Sequence, residues 1–201
     1  LASASDEFVL TVVNTNDAPT VTSPIADAST DEDAAYSLDS SSAFSDVDVG
    51  DVQAYSISGA PSSLSIAWST GIISGSPTND DVGTHTITVT ATDAAGETAS
   101  DSYDLTVVNT NDAPTVSTAI ADASTDEDAA YSAAASFADV DVGDVLTYTM
   151  SGAPSTLSID SATGAISGTP TNDDVGAYTI TVTATDVALA SASDEFVLTV
   201  V

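Results

Sequence analysis

The residues best suited to chemistry in this sequence are acidic side chains that recur in short clusters. Four kinds of cluster each occur twice: residues 31–33 and 126–128 (Asp-Glu-Asp), 46–51 and 139–144 (Asp-Val-Asp-Val-Gly-Asp), 79–81 and 172–174 (Asn-Asp-Asp), and the single residues Asp93 and Asp186. Carboxylates that converge need a cation or a shared proton, because they cannot all stay ionised in isolation. Since Ca²⁺ is a hard cation that takes roughly six to eight oxygen ligands, the clusters predict calcium as the bound ion.

A second oxygen-rich motif, Asn-Thr-Asn-Asp-Ala-Pro, occurs at residues 14–19 and again at 109–114. Its proline has a fixed φ and pushes the preceding residue towards an extended conformation. Both copies are therefore predicted to be stiff connectors between modules, hardened by a bound metal ion.

Catalytic arrangements are not found in the sequence. No spaced Ser, His and acid set repeats between the units, and the Gly-x-Ser-x-Gly motif is absent. Paired carboxylates can hydrolyse glycosides, but these are predicted to lie at module ends rather than in a cleft. His85 is interpreted as a packed or rim histidine and Trp68 as a packed edge residue, with sugar stacking as the alternative for Trp68. The protein is predicted not to be an enzyme.

Composition narrows the possible partners. The 201 residues include 31 acidic side chains and neither Lys nor Arg, which gives a formal charge of −31. Phosphate backbones and anionic lipid surfaces would be repelled, so neither nucleic acid nor membrane insertion is expected. The 42% hydrophobic content indicates a folded chain, and the absence of cysteine excludes disulfides and thiolate zinc sites.

Internal repetition defines the predicted domains. Residues 14–108 form module 1 and residues 109–201 form module 2, the second being two residues shorter in a loop. Residues 1–13 are identical to residues 189–201, so we interpret them as the closing strand of a preceding repeat. The sequence is then a window on a longer array.

Alternating residues within each module predict strands rather than helices. Tyr178, Ile180, Val182 and Ala184 alternate with four threonines, as half-buried antiparallel strands do. Seven or so short strands in about 95 residues describe a sandwich. The predicted fold is all-β, with tandem Greek-key β-sandwich modules of the cadherin or immunoglobulin type arranged end to end.

Five motifs stand in one order in both modules: the early Asp-Glu-Asp, the Asp-x-Asp-x-Gly-Asp loop, an Ile-Ser-Gly-Ser/Thr-Pro turn, a Thr-Val-Thr-Ala-Thr-Asp strand and the Asn-x-Asn-Asp-Ala-Pro linker. Together they resemble the cadherin-like repeats of bacterial surface proteins. The nearest resemblance is to the dystroglycan-type cadherin-like module, which overlaps with the "putative immunoglobulin-like" repeats. The resemblance covers essentially the whole chain.

That resemblance implies calcium at the junctions, held by the base of one module, the linker and the top of the next. At the complete junction the implied ligands are Glu32, Asp80 and Asp81, then Asn109, Asn111 and Asp112, then Asp139, Asp141 and Asp186. At the upstream junction they are Asn14, Asn16, Asp17, Asp46, Asp48 and Asp93, while Glu127, Asp173 and Asp174 would serve a following module. The linker is one residue shorter than in animal cadherins, so the number of ions per junction stays open.

These observations predict a calcium-stiffened repeat segment of a long bacterial cell-surface or secreted adhesin or extracellular fibre, acting as spacer and adhesive surface. The expected partners are neighbouring repeats of the same protein. Two alternatives remain open: a calcium-dependent carbohydrate-binding module, and a self-assembling filament subunit in which residues 1–13 are donated to an identical chain by strand pairing.

Overall fold

A computed structural model describes residues 1–48 and 50–201 of the chain. Val49, which belongs to the first predicted acidic loop, lies outside the described residues. The chain divides into two compact units, Leu1–Asn109 and Thr110–Val201. No helix among the described residues is long and apolar enough to cross a membrane.

The described residues of the first unit form nine strands in three sheets. They are β1 (Thr20–Val21), β2 (Ala28–Asp31), β3 (Tyr36–Asp39), β4 (Phe44–Ser45), β5 (Ala54–Ser58), β6 (Leu64–Ile66), β7 (Ile72–Gly75), β8 (Gly83–Thr92) and β9 (Thr98–Val108). The order β2-β9-β8-β5 forms a four-stranded sheet, β3-β7-β6 a three-stranded sheet, and β1-β4 a short pair. Every pairing is antiparallel except that of β2 with β9.

The second unit repeats this arrangement. Its strands are β10 (Thr115–Thr118), β11 (Ala123–Thr125), β12 (Tyr131–Ala134), β13 (Ser136–Ala138), β14 (Thr147–Ser151), β15 (Leu157–Ile159), β16 (Ala165–Gly168), β17 (Gly176–Thr185) and β18 (Ser191–Val200). The sheets have the orders β11-β18-β17-β14, β12-β16-β15 and β10-β13, and β11 runs parallel to β18. The prediction of an all-β fold with tandem sandwich units is confirmed.

Apolar and polar residues alternate along the long hairpins, and the apolar residues form the core of each unit. In β17, Ile180, Val182 and Ala184 are fully buried, and the intervening threonines lie towards solvent. There Thr183 contacts Ser193 across the pair, with 2.8 Å between hydroxyl oxygens. This is the pattern expected of strands with one face in a core and one in water.

The structure differs from the prediction in the short elements. Each unit has nine strands among the described residues where the sequence predicted seven or so, because short strands such as β2 and β11, with three or four residues of little apolar character, give a weak signal. Single 3₁₀ turns occur at Ser41–Ala43, Asn79–Asp81 and Asn172–Asp174, with no α-helix in the described part of the chain. Residues 1–19 carry no regular secondary structure.

Candidate metal centres

The acidic loop at residues 139–144 is folded back on itself by its own carboxylates. The backbone N–H of Asp141 donates to Oδ1 of Asp139 at 3.0 Å, and the N–H of Asp144 donates to the carbonyl of Asp141 at 3.2 Å. Gly143, with φ of 98°, supplies the left-handed residue that this turn requires. As a result, one carboxylate oxygen from each of the three aspartates lies within 4.8 Å of the others.

The linker residues preceding β10 attach to this loop and to the end of β17. The amide nitrogen of Asn111 donates to Oδ2 of Asp186 at 2.9 Å. The backbone N–H of Asp112 donates to Oδ2 of Asp141 at 2.8 Å. Pro114, two residues further on, is buried and anchors the linker to the unit. Segments far apart in sequence therefore meet at one end of the second unit.

Asp186 has a second attachment in the hairpin turn that follows β17. It is 3% exposed, and its Oδ1 accepts from the backbone N–H of Ala190 at 2.8 Å. Its own N–H donates to the Ala190 carbonyl at 3.0 Å. The two bonds fix the carboxylate at the strand end, so its position is set before any ligand arrives. We call Asn111, Asp112, Asp139, Asp141, Asp144 and Asp186 the second acidic cluster.

The first unit carries a matching group, the first acidic cluster, comprising Asn14, Asn16, Asp17, Asp46, Asp48, Asp51 and Asp93. Here oxygens of Asp46, Asp51 and Asp93 lie within 4.8 Å of one another. The Asn16 amide donates to Oδ2 of Asp93 at 2.8 Å, and Asp48 accepts from the N–H of Asp17 at 2.8 Å. Asn14 also donates to Oδ1 of Asp48 at 2.7 Å. The linker contacts are thus repeated in both units, but the three carboxylates that converge are not equivalent: they are Asp46, Asp51 and Asp93 in the first unit and Asp139, Asp141 and Asp144 in the second.

The charge in these clusters is not balanced by the protein. Oδ2 of Asp46, of Asp139 and of Asp144 are each buried and accept no hydrogen bond from the described residues. Burial raises the pKa of Asp144, and the nearby carboxylates of Asp139, Asp186 and Asp141 raise it further. Since no Lys or Arg exists in the chain, the converging carboxylates can be neutralised by a bound cation or by a shared proton. Converging carboxylate and amide oxygens are the donor set that Ca²⁺ prefers, so the residues fit this ion.

The Asn-Asp-Asp loops, also predicted as ligands, lie at the other end of their units, at the start of β8 and of β17. Asp174 accepts from the N–H and hydroxyl of Thr171 at 2.9 and 3.0 Å, and from the Thr156 hydroxyl at 2.9 Å. The backbone N–H of Thr171 is the main cause of its lowered pKa. Asp81 caps the same turn in the first unit and accepts from Thr78.

The carboxylates of Asp81 and Asp174 therefore stabilise the turns in which they lie. Their neighbours Asp80 and Asp173 are exposed. Glu32 is 2% exposed, whereas its counterpart Glu127 is half-buried. Ligand sets that join residues of one unit to those of the other remain predictions, as does the role of Asn109.

Two residues of these clusters, Asp51 and Asp144, and one neighbour of the first cluster, Glu97, were not among the predicted ligands. Asp51 and Asp144 are the third acid of each Asp-x-Asp-x-Gly-Asp loop, and their recurrence was a signal that pointed to them. Glu97 accepts from the Asn16 amide at 3.1 Å. The matching residue of the second unit is Ala190, so comparison of the two repeats gave no signal for Glu97.

Comparison with known proteins agrees with this architecture. The sequence profile of the family described as "Putative Ig domain" matches residues 18–108 and again 113–201. A "serine-rich adhesin for platelets" from Staphylococcus aureus (strain MRSA252) is 39% identical over 130 residues, which are 65% of this chain and 9% of that protein. The chain therefore spans less than a tenth of the length of this relative.

Among solved structures, mouse cadherin-23 repeats EC22–24 align with 92% of this chain and 64% of theirs, at 22% identity and a TM-score of 0.61. This likeness concerns the fold. An endo-fucoidan hydrolase of glycoside hydrolase family 107 aligns with 92% of this chain and 29% of its own, at 24% identity. Its TM-score of 0.45 is too low to bear on activity.

Proposed function

This chain belongs to the Putative Ig domain family, and on that premise we propose that it is a calcium-stiffened repeat segment of a long surface or secreted adhesin or extracellular fibre. It serves as a spacer and as an adhesive surface, and it is not an enzyme. The relative named as an adhesin supports a cell-surface or extracellular location. The partners proposed first are neighbouring repeats of the same protein.

The observation that carries the calcium proposal is the set of buried carboxylate oxygens that accept no hydrogen bond from the part of the chain that the structure describes. They occur in Asp46 of the first unit and in Asp139 and Asp144 of the second. A buried charge without a partner is costly, and a fold that keeps such groups in two copies needs something to offset them. Ca²⁺ supplies two positive charges and accepts irregular oxygen geometry.

Stiffening is the finer part of the proposal. Glu32, Asp80, Asp81 and Asn109 are proposed to complete a site with Asn111, Asp112, Asp139, Asp141 and Asp186, so that one ion would tie a module, its linker and the next module together. The same logic assigns the first acidic cluster to an upstream junction. It also assigns Glu127, Asp173 and Asp174 to a following one. An ion held by both sides of a linker would restrict rotation about it.

Binding is tested by thermal unfolding of the full chain in EDTA, in Mg²⁺ and in Ca²⁺, with calorimetric titration of Ca²⁺. We expect Ca²⁺ to raise the midpoint by ten degrees or more, on the order of 3 kcal/mol of linkage when the ion exceeds its Kd about a hundredfold. Asp139→Asn should remove the calcium bound by the second acidic cluster from the calorimetric titration and lower that rise. Asp104→Asn removes the same charge from an exposed strand residue that accepts from Thr86, and should leave the rise intact. An unchanged midpoint in Ca²⁺ would end the proposal.

Stiffening needs its own measurement, because an ion can bind without fixing a linker. The chain has no cysteine, so Ser62→Cys and Ser155→Cys, at matching exposed positions, accept a pair of spin labels. We expect Ca²⁺ to narrow the distribution of label distances and EDTA to broaden it. A distribution equally broad in both, alongside a raised midpoint, would keep calcium binding and reject stiffening.

A carbohydrate-binding role is the second candidate, favoured by an open hollow beside the first acidic cluster. The half-buried Tyr55 lines it together with Gln53, Ser69 and Thr70, and Trp68 precedes the last two of these in the chain. Trp68 is 68% exposed, and its carbonyl accepts from the backbone N–H of Tyr55 at 2.7 Å. Aromatic faces with neighbouring hydroxyl and amide groups suit sugar rings.

A glycan array read with and without Ca²⁺ tests this candidate. Trp68→Ser installs the residue that copy two has at Ser161, so the variant should fold. Loss of a calcium-dependent signal in that variant would support the role. The absence of any signal from the unaltered chain would reject it.

A further inference from the structure

The two acidic clusters differ by one carboxylate that lies beside the first of them. Each aspartate of the first acidic cluster has a matching aspartate in the second. Glu97 has no such counterpart, because the matching residue of the second unit is Ala190. Both residues stand four positions after the aspartate that follows a long strand, which is Asp93 after β8 and Asp186 after β17. The repeats therefore offer a natural comparison of this position with and without an acid.

The hairpin turn after β8 fixes the backbone of Glu97 next to Asp93. The N–H of Glu97 donates to Oδ1 of Asp93 at 2.8 Å, and the N–H of Asp93 donates to the Glu97 carbonyl at 3.0 Å. Ala190 and Asp186 form the same two bonds, also at 2.8 and 3.0 Å. Because the turns share these bonds, a side chain at this position starts next to the strand-end carboxylate in either unit.

The carboxylates of Glu97 and Asp93 share one hydrogen-bond donor. Oε2 of Glu97 accepts from the side-chain amide of Asn16 at 3.1 Å, and Oδ2 of Asp93 accepts from the same nitrogen at 2.8 Å. A neutral amide cannot cancel the repulsion between two carboxylates that approach the same atom. Glu97 is exposed, so its side chain can turn towards an ion at Asp93 without repacking of the core.

A cation at Asp93 is supported by a different observation from the same cluster. One oxygen of Asp93 lies within 4.8 Å of oxygens of Asp46 and Asp51. Oδ2 of Asp46 is buried and accepts no hydrogen bond from any residue that the structure describes. A buried charged acceptor without a donor is costly, which favours a cation among these three carboxylates. Glu97 therefore stands beside a position that already favours positive charge.

We propose that Glu97 is an additional calcium ligand of the first acidic cluster, and that the residue at this turn position sets the calcium affinity of each unit. A carboxylate there adds both negative charge and oxygen ligands, and the affinity of oxygen sites for Ca²⁺ rises with the charge of their ligands. The methyl group of Ala190 supplies neither. The inference rests on the calcium binding proposed above, and it adds a ligand that the resemblance to cadherin-like repeats did not imply.

Calcium titration of the full chain, followed in amide NMR spectra, measures the two clusters separately. The backbone amides of Gly96 and Leu189 are matched reporters, since they donate to the carbonyls of Asp93 and Asp186, both at 3.3 Å. Each reporter gives the affinity of the cluster in its own unit. If neither amide of the unaltered chain responds to Ca²⁺, calcium binding itself is rejected. If both respond, the variants below test Glu97 alone.

Glu97→Gln separates the charge from the hydrogen bond, because its amide keeps an oxygen that can accept from Asn16. We expect the Ca²⁺ affinity reported by Gly96 to fall about tenfold, and that reported by Leu189 to stay unchanged. The same factor should be found in 1 M KCl, where the Debye length is about 3 Å and a charge outside the site is screened. A loss that disappears in KCl, a loss seen in Glu97→Ala but not in Glu97→Gln, or an unchanged affinity would each overturn the role of Glu97 as a ligand.

Ala190→Glu is the reciprocal variant in the second unit. It places the acid of the first unit on a turn with the same backbone bonds, so the Ca²⁺ affinity reported by Leu189 should rise severalfold while that reported by Gly96 stays unchanged. Ala190→Gln is the matched control, because it has the same length without the charge and should give no rise. Equal effects of the two substitutions, or no rise with Ala190→Glu, would show that this position does not set the affinity.

Discussion

The side-chain amide of Asn111 donates a 2.9 Å hydrogen bond to Oδ2 of Asp186, 75 residues away in sequence. Asn16 makes the same bond to Asp93 at 2.8 Å in the first unit. In each case an amide N–H partly offsets a carboxylate for which the chain has no lysine or arginine. The same side chain can turn its oxygen towards a cation, because the amide carries an acceptor beside its donor.

The effect of Asn111→Asp on stability should change sign when calcium is added. Without the ion, the variant loses the donor to Asp186 and adds a like charge, so the midpoint of thermal unfolding should fall. With the ion, an added carboxylate should tighten binding severalfold. Circular dichroism melts in EDTA and in Ca²⁺, with calorimetric titration, measure both effects. A lower midpoint in both conditions with weakened binding would show that the Asn111 amide is required as it stands.

Asp144→Asn should stabilise the protein in EDTA and weaken calcium binding. The pKa of Asp144 is raised by burial and by neighbouring carboxylates, so its charge opposes folding when no cation is present. Asp160→Asn is the matched control, since it lies in a turn of the same unit, where the backbone N–H of Ala162 is the main cause of a lowered pKa. That control should lower the midpoint slightly and leave calcium affinity unchanged. Destabilisation by Asp144→Asn in EDTA would refute the electrostatic account.

Stability should depend on pH in opposite directions with and without calcium. Between the unfolded pKa of Asp, about 3.9, and the raised folded pKa of Asp144, the folded state binds more protons, so stability falls as pH rises. The pKa values of Asp93 and Asp174 are lowered, chiefly by the Asn16 amide and the Thr171 N–H. Their contribution is present above about pH 3.9 and is lost as pH falls through their folded values.

In EDTA the midpoint should therefore be higher near pH 4.5 than at pH 7.5. In saturating Ca²⁺ the order should reverse, because protons compete with the ion for the carboxylates. Melts at these two pH values, with and without the ion, give the four midpoints needed. If the same pH is preferred in both conditions, the clusters do not control this dependence.

Gly59→Ala should be far more damaging than Gly96→Ala. Both glycines have positive φ, 77° and 95°, so the backbone cost is similar. A Cβ at Gly59 would collide with the backbone oxygen of Thr86, whereas a Cβ at Gly96 meets nothing within 4 Å. We expect losses of more than about 3 kcal/mol and of about 1 kcal/mol respectively.

Urea unfolding followed by fluorescence measures both, because Trp68 is the only tryptophan and lies in the first unit. Neither substitution changes a charge, so the difference between the stability losses of Gly59→Ala and Gly96→Ala should persist in EDTA. Similar losses in the two variants would mean that backbone conformation, and not the contact with Thr86, decides the cost.

Much of this protein could be predicted from local patterns. Apolar residues and threonines alternate along β17, which predicts a strand because Ile180, Val182 and Ala184 then share one face. The repeats located the acids of both clusters, including Asp144, which the predicted ligands omitted although its motif was recognised. Short strands such as β11 were missed because their identity comes from pairing with β18 rather than from their own residues.

By itself the sequence determined the repeat length, the all-β class, the acidic excess and the residues that can serve as oxygen ligands, because these depend on composition and on neighbouring residues. Only the tertiary structure decided which acids meet, since Asp186 reaches Asn111 through the pairing of distant strands. It also decided the state of the repeated thirteen residues. Phe8 and Phe196 stand in identical sequences, yet one is exposed and the other buried, because a strand is stabilised by partners that its own sequence does not contain.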